Sequence, residues 1–343
     1  MFNPKFNITQ KLLTNIKQIA VLITELNNRS FPKTILLELE KTAREVSSHS
    51  STSIEGNPLP LTVVKKILKT KPENIRDSEQ EVLNYNLALE KLNKLIQLKE
   101  RYLSLNLILE IQRIVTYKLL NKALSGKIRK EPVFVNDPRA GKTVYWPPDH
   151  QDVEPILDEL IKYLNKNERK IDPLILAGIF HKQFVIIHPF IDGNGRTARL
   201  LTKLLLANMG LNTFNLFSFE NYYNQNITKY FQKVGVLGNY YDTKAKLDFT
   251  EWLEYFTDGI IDELLRVGTE LKTLSITPNT TLEQYHKKLL EYIKRNGYIN
   301  DKLYSTLTDR AKATRNLDFQ KLINLELIER FGKGKATYYK LKQ

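Results

Sequence analysis

Apolar and polar positions along this chain recur mostly at helical spacing. Ile8, Leu12, Leu13, Ile16, Ile19, Ala20, Leu22 and Ile23 predict one amphipathic helix within residues 1–32, ending at Asn27-Asn28. A second run, Thr34 to Ser47, follows Pro32 through Ile35, Leu36, Leu39 and Ala43. Thr62 reads as an N-cap before Val63, Val64, Ile67 and Leu68, and Pro72 as the break after them. Residues 81–98 and 105–120 then supply two apolar stripes, expected to be core.

The spacing changes at Gly126. Residues 126–129, Val133-Phe134-Val135, a turn over 136–141 and Thr143-Val144-Tyr145-Trp146 read as a β-hairpin, which Pro147-Pro148 ends. Helices are expected over 152–164, from Pro173 to Ile187, and over 200–207. An aromatic-rich stretch, 218–234, precedes a helix capped by Asp248 or Thr250. Residues 270–280 read as a linker. Helices over 282–295 and 301–307, a third capped by Thr308, and a hairpin over 327–341 around Gly332-Lys333-Gly334 make a winged helix-turn-helix pattern.

Composition narrows the class. The 343 residues are 42% hydrophobic and include no cysteine, which excludes disulfides and thiolate metal sites and suits a reducing compartment. No apolar run approaches the roughly 20 residues of a membrane span, and the first residues lack a signal-peptide pattern. A cytoplasmic location without membrane partners is therefore expected. The net charge is +14, and residues 281–343 hold fourteen Lys and Arg against seven Asp and Glu. Arg310, Lys312, Arg315, Lys333 and Lys335 fall on the expected recognition helix and wing, so DNA contact through 281–343 stands beside protein binding or packing within the chain.

The chemistry concentrates in His188-Pro189-Phe190-Ile191-Asp192-Gly193-Asn194-Gly195-Arg196-Thr197-Ala198-Arg199. A histidine ends one apolar run, a glycine-bracketed loop follows, and Arg196 opens the next run. Such a loop before a helix offers backbone N–H groups and a positive dipole end to an anion. Arg196 and Arg199 stand three apart and share a helix face. A base, a carboxylate, a phosphate-sized nest and two guanidiniums make a phosphate-chemistry site. His181, seven residues before His188, reads as a packed histidine, since a zinc site would want a third ligand.

At its nine defined positions this stretch resembles the HPFxDGNGRxxR signature of the Fic family, whose members transfer AMP from ATP to protein hydroxyls. Ser51…Glu55-Gly56 is similar to the [ST]xxxE[GN] motif of members with an inhibitory helix. The resemblance implies a mainly α fold. Residues 1–100 would form an N-terminal helical region, 101–270 the Fic core with a hairpin flap, and 281–343 the winged helix.

It also implies roles. His188 would be the catalytic base and Asp192 the Mg²⁺ ligand. Gly193, Asn194, Gly195, Arg196, Thr197, Ala198 and Arg199 would bind ATP together with His188, with Arg196 on the β-phosphate and Arg199 on the γ-phosphate. Glu55, with Ser51 and Gly56, would inhibit by occupying Arg199. Lys142, Thr143, Val144, Tyr145 and Trp146 would form a flap that docks the acceptor chain by strand addition. Gly195 stands where members that phosphorylate carry a lysine, which favours AMP transfer. Tyr230 and Asn239 are candidates near the adenine, with aromatic core as the other reading.

The expected partner is a protein substrate, the chain itself included, and a homodimer is a further expectation. Two other readings keep the same residues. One is a hydrolase that removes AMP from a modified protein; the other is a DNA-binding regulator that uses the core as a sensor.

Overall fold

The computed structural model describes residues 2–28, 33–70, 72–98, 103–136, 141–208, 216–275, 282–325 and 327–342. In chain order its elements are α1 (Gln10–Asn27), α2 (Lys33–Ile54), α3 (Leu61–Thr70), α4 (Asp77–Gln97), α5 (Leu105–Val115), β1 (Val135–Asn136), β2 (Thr143–Trp146), α6 (His150–Asn167), α7 (Pro173–Ile187) and α8 (Asn194–Asn208). Then come α9 (Glu220–Gln225), α10 (Ile227–Val234), β3 (Gly238–Asn239), α11 (Tyr240–Thr243), α12 (Thr250–Ser275), α13 (Gln284–Asn296), α14 (Asp301–Tyr304), α15 (Lys312–Asn324), β4 (Ile328–Phe331) and β5 (Tyr338–Leu341). The mainly helical expectation holds. The chain divides into two compact units, Met1–Leu26 with Thr42–Leu265, and Asn27–Lys41 with Arg266–Gln343.

In the first unit α7 is the centre. Apart from Pro173 and Val185 every one of its residues is buried, as a helix that is apolar on all sides requires. Pro173 at its first turn and the Asp172 carboxylate, which accepts from Leu174 N–H, start it. Phe180, Phe184 and Ile187 of α7 join Leu107, Ile108 and Ile111 of α5, Leu157 and Leu160 of α6, and Leu200, Leu201 and Leu204 of α8 in one core. This packing fixes the ends of α7 and α8, and therefore the loop between them.

Three sequence-based expectations need correction. Helix α3 starts at Leu61, with the Pro60 carbonyl accepting from Val63 and Val64, so Thr62 lies inside it rather than capping it. The strand before the flap turn begins only at Val135, and the expected turn at 137–140 lies outside the described residues. Helix α12 runs on to Ser275 through what reads as linker; the remainder, 276–280, lies outside the described residues. One strand was not anticipated. β3 adds in parallel to β2, pairing Tyr145 with Gly238 and Trp146 with Asn239, while β1 pairs antiparallel on the other side.

The second unit follows the expected order of helices and hairpin. Leu289, Ile293, Ile299, Tyr304, Phe319, Leu322, Ile328 and Tyr339 form its core, and β4 pairs antiparallel with β5. The third helix begins after Ala311, not at Thr308. Two expected DNA-facing cations are engaged within this unit. Arg310 Nε lies 2.9 Å from buried Asp318, and Arg315 Nε lies 2.8 Å from Asp301. The Arg315 guanidinium holds the Asp301 carboxyl below its usual range.

Candidate active site

The loop joining α7 to α8 is held through its backbone. His188 is the C-cap of α7 and adopts the left-handed conformation, φ 51° and ψ 59°. For a residue with a Cβ this costs on the order of 1–3 kcal/mol, so surrounding bonds must hold it. The His188 carbonyl accepts from Arg129 Nε at 2.8 Å, and the Pro189 carbonyl from Arg129 N–H at 3.0 Å. Asn194 closes the next turn. Its amide donates to the Phe190 carbonyl and accepts from Phe190 N–H, both at 2.9 Å. The Gln112 side chain donates to the Asp192 carbonyl at 3.0 Å.

The His188 ring is oriented by the Val185 carbonyl, 3.2 Å from Nδ1. With Nδ1–H donating there, Nε2 carries the lone pair and can take a proton. Burial lowers the His188 pKa from its ordinary value, partly opposed by the Val185 bond and by Glu55. A neutral ring at pH 7 follows.

Helix α8 starts at Asn194, so the N–H groups of its first turn have no preceding turn to bond. Free N–H groups at a helix start suit an anion. Asp192, half exposed at 47%, accepts through Oδ1 from Gly193 N–H at 2.6 Å and from Arg196 Nη2 at 2.8 Å. The Asn194 side chain is spent on Phe190, which leaves its main chain to face a ligand. Ala198 packs in the main core and Thr197 is fully buried with its N–H donating to the Gly193 carbonyl at 2.9 Å, so the structure turns neither toward the nest.

Arg196 has a partner that no local pattern singles out. Its Nη1 lies 2.6 Å from Glu81 of α4. The other oxygen of Glu81 accepts from the Asn57 side chain at 2.7 Å, just after the turn that ends α2. Burial raises the Glu81 pKa, and Arg196 and Asn57 oppose that rise. Glu81 sits at a polar position of an amphipathic helix, and nothing in its spacing marks it.

Arg199 is fully buried and bonded on every side. Nε donates to Ser51 Oγ at 2.8 Å, and Nη2 to the Ser51 carbonyl at 2.9 Å and to Glu55 Oε1 at 2.6 Å. Burial works against its charge, but Glu55, Tyr230 and Tyr85 together reverse this, and its pKa lies above the ordinary value. Nη1 reaches Tyr230 Oη at 3.4 Å. Tyr230 is 3.0 Å from His181 Nε2, and His181 Nδ1 is 3.1 Å from Thr202 Oγ1. Thr202 donates onward to the Ala198 carbonyl, so His181 Nδ1 carries the proton and Nε2 accepts from Tyr230. Burial holds the His181 pKa well below its ordinary value. Tyr230 is therefore part of the aromatic core beneath Arg199.

Two glycines let Glu55 arrive there. Gly56, at φ 96°, ends α2 in a conformation that a side chain would strain. A Cβ on Gly195 would lie 2.2 Å from Glu55 Oε1 and 3.0 Å from Arg199 Nη1. Ser47, one helical turn before Ser51, accepts from Lys203 Nζ at 2.6 Å, so α2 and α8 meet along 47, 51 and 55 against 199 and 203.

A divalent metal fits only in a nucleotide-assisted way. Among the described residues no group of three or more His, Asp and Glu could hold a metal ion. Asp192 presents a half-exposed carboxylate beside the nest, its hydrogen bonds running through Oδ1, whereas Glu55 and Glu81 are engaged by Arg199 and Arg196. Mg²⁺ commonly takes one or two carboxylates together with substrate phosphates. On the flap, Tyr145 turns inward and donates to the Ile186 carbonyl at 3.0 Å, whereas Trp146 is exposed. β3 takes one edge of Tyr145-Trp146 and β1 pairs with Thr143 and Tyr145 on the other, so among the described residues Thr143 and Val144, with Lys142 just before them, have no strand on the β3 side. Asn239 caps α11 by accepting from Tyr241 N–H. Among the described residues no helix is long and apolar enough to cross a membrane.

Residues 102–206 match the Fic/DOC family. The chain is 32% identical over 166 residues to protein adenylyltransferase Fic of Nematostella vectensis, covering 47% of this chain and 37% of that protein. It is 34% identical over 168 residues to protein adenylyltransferase fic-1 of Caenorhabditis briggsae, covering 47% and 31%. The match thus spans about a third of the length of these curated relatives. Among solved structures, a Fic family protein from Desulfovibrio desulfuricans G20 has a TM-score of 0.65 at 19% identity, covering 99% of this chain and 98% of that one. Fic-1 from C. elegans has a TM-score of 0.60 at 24% identity, covering 77% and 74%; at these identities the likeness speaks for the fold. The signature loop, the helices that carry it and the matched stretch coincide, and residues 102–206 form a Fic domain of the Fic/DOC family.

Proposed function

We propose that this chain transfers AMP from ATP to a hydroxyl of a protein and that Glu55 restrains the reaction. The observation that carries the reading is the seat of Arg199, a buried guanidinium beside an anion nest and shared by Ser51 and Glu55. An arginine aimed at a helix N-terminus suits a polyphosphate. Arg199 receives the γ-phosphate once Glu55 leaves, Arg196 the β-phosphate, and the first N–H groups of α8 the oxygens between. Asp192 would hold Mg²⁺, which would neutralise phosphate charge. The acceptor oxygen attacks the α-phosphorus, its proton passes to His188 Nε2, and the bond to the β-phosphate breaks to release pyrophosphate.

The edge of β2 at Thr143 and Val144, with Lys142 just before it, suits an extended acceptor segment joining by main-chain bonds. The acceptor is a protein hydroxyl of Ser, Thr or Tyr, on this chain itself or on another protein.

The group transferred is tested by the position of the label. Incubated with Mg²⁺, the Glu55→Gly chain is expected to become labelled by ATP marked at the α-phosphate and not by ATP marked at the γ-phosphate. Label from the γ-phosphate would mean phosphoryl transfer and would overturn the reading.

A further inference from the structure

Arg129 lies outside the signature loop, in the segment that leads into the flap, and no step of the proposed reaction uses it. It is nevertheless 3% exposed and satisfied entirely by main-chain carbonyls. One half of its bonding goes to the base: Nε to the His188 carbonyl at 2.8 Å and the main-chain N–H to the Pro189 carbonyl at 3.0 Å. The other half goes to the two ends of the flap. Nη1 donates to the Glu131 carbonyl, before β1, at 3.2 Å, and Nη2 to the Pro148 carbonyl, after β2, at 2.5 Å. Tyr145 adds a second tie between the flap and α7 through the Ile186 carbonyl.

The planar fork of a guanidinium suits this task. It presents donors at fixed angles, so fixing two of them fixes the others. The carbonyl it holds belongs to a histidine in a left-handed conformation, which needs an external restraint. The same fork holds the strand that would dock the acceptor. Base and acceptor dock are thus mounted on one side chain.

We propose that Arg129 is a positioning residue for His188, setting the base against the acceptor dock. The inference rests on the proposed AMP transfer. A misplacement of about 1 Å at a reacting group costs on the order of a hundredfold in rate. Arg129 touches neither nest nor Arg199, so its effect falls on kcat and not on ATP affinity. Burial chiefly lowers the His188 pKa, and the Arg129 charge adds to this against the Val185 bond, Glu55 and Asp192, which raise it.

The test compares Arg129→Lys and Arg129→Met, each in the full Glu55→Gly chain, with Glu55→Gly alone. Lysine keeps the charge and loses the fork; methionine loses both. Both variants are expected to lower kcat about 10- to 100-fold with KM for ATP within about twofold, the methionine variant more. The acid limb of the rate profile moves to higher pH with methionine and stays in place with lysine. NMR of the histidine rings, with His188 assigned by its loss in His188→Ala, should show the same rise in pKa for methionine only. An unchanged kcat would overturn the proposal, as would a kcat that falls together with ATP affinity, since that is the signature of a collapsed site. Should the Glu55→Gly reference transfer no AMP, the functional reading fails by itself. The His188 resonances still decide: ring and main-chain shifts left unmoved by Arg129→Lys, which keeps the charge and loses the fork, overturn the positioning role.

Discussion

Replacing His188 by alanine in a Glu55→Gly chain is expected to lower AMP transfer by about 10²- to 10⁴-fold, the usual worth of a positioned general base. The ring is oriented for the task, with Nδ1 committed to the Val185 carbonyl and Nε2 left basic. Its low pKa keeps it neutral at pH 7, so the wild-type ring should lose activity only as pH falls through a value below the ordinary 6.5. Above that point the rate should be flat as far as His188 is concerned. None of the contacts that would hold phosphates runs through this ring, so ATP affinity is expected to stay within a few-fold. Initial rates against pH, with calorimetric ATP binding on both chains, check the two halves of the expectation. Undiminished transfer by the alanine variant would remove His188 as the base.

Glu55→Gly is expected to act in the opposite direction. The contact between Glu55 Oε1 and Arg199 Nη2 is a charged hydrogen bond at 2.6 Å, a kind worth about 1.5–3 kcal/mol. Glu55 is 27% exposed, and solvent screening places the lower part of that range nearer the mark. Its loss corresponds to a gain of roughly tenfold or somewhat more in AMP transfer. Arg199 should not collapse when Glu55 is removed, because Ser51 holds it through two further bonds. Glu55→Gln, which keeps the shape and loses the charge, should give a smaller gain. Rates of self-labelling in the three chains read the series directly, and equal rates would remove Glu55 as the restraint.

The sequence was informative where chemistry is local. The loop from His188 to Arg199 carries its glycines, its carboxylate and its arginines within twelve residues, and the flanking apolar runs become α7 and α8 as their spacing predicts. Ser51 and Glu55 sit one helical turn apart, so a single motif placed both on Arg199. Partners that meet across the fold left no such trace. Glu81 reaches Arg196 and Asn57 from a helix whose polar positions all look like solvent-facing residues. Arg129 is one basic residue in a basic segment, and only the carbonyls brought to it by α7 and the flap distinguish it. β3 is two residues long, Gly238-Asn239, too short for any alternation, and pairs with β2 from more than ninety positions away. Arg310 and Arg315 show the converse error. Their charge drew attention to DNA, while their carboxylate partners, Asp318 and Asp301, lay beyond the reach of local pattern.

The central claim is that Glu55 keeps Arg199 from the γ-phosphate, and it is tested most directly by how much that phosphate adds to binding. Calorimetric titration of ATP and ADP into the wild-type and Glu55→Gly chains gives the ratio of the two affinities in each. The account predicts that ATP and ADP bind nearly alike to the wild type, and that Glu55→Gly raises the preference for ATP by about tenfold, the worth of one charged hydrogen bond. The same ratio in both chains would contradict it.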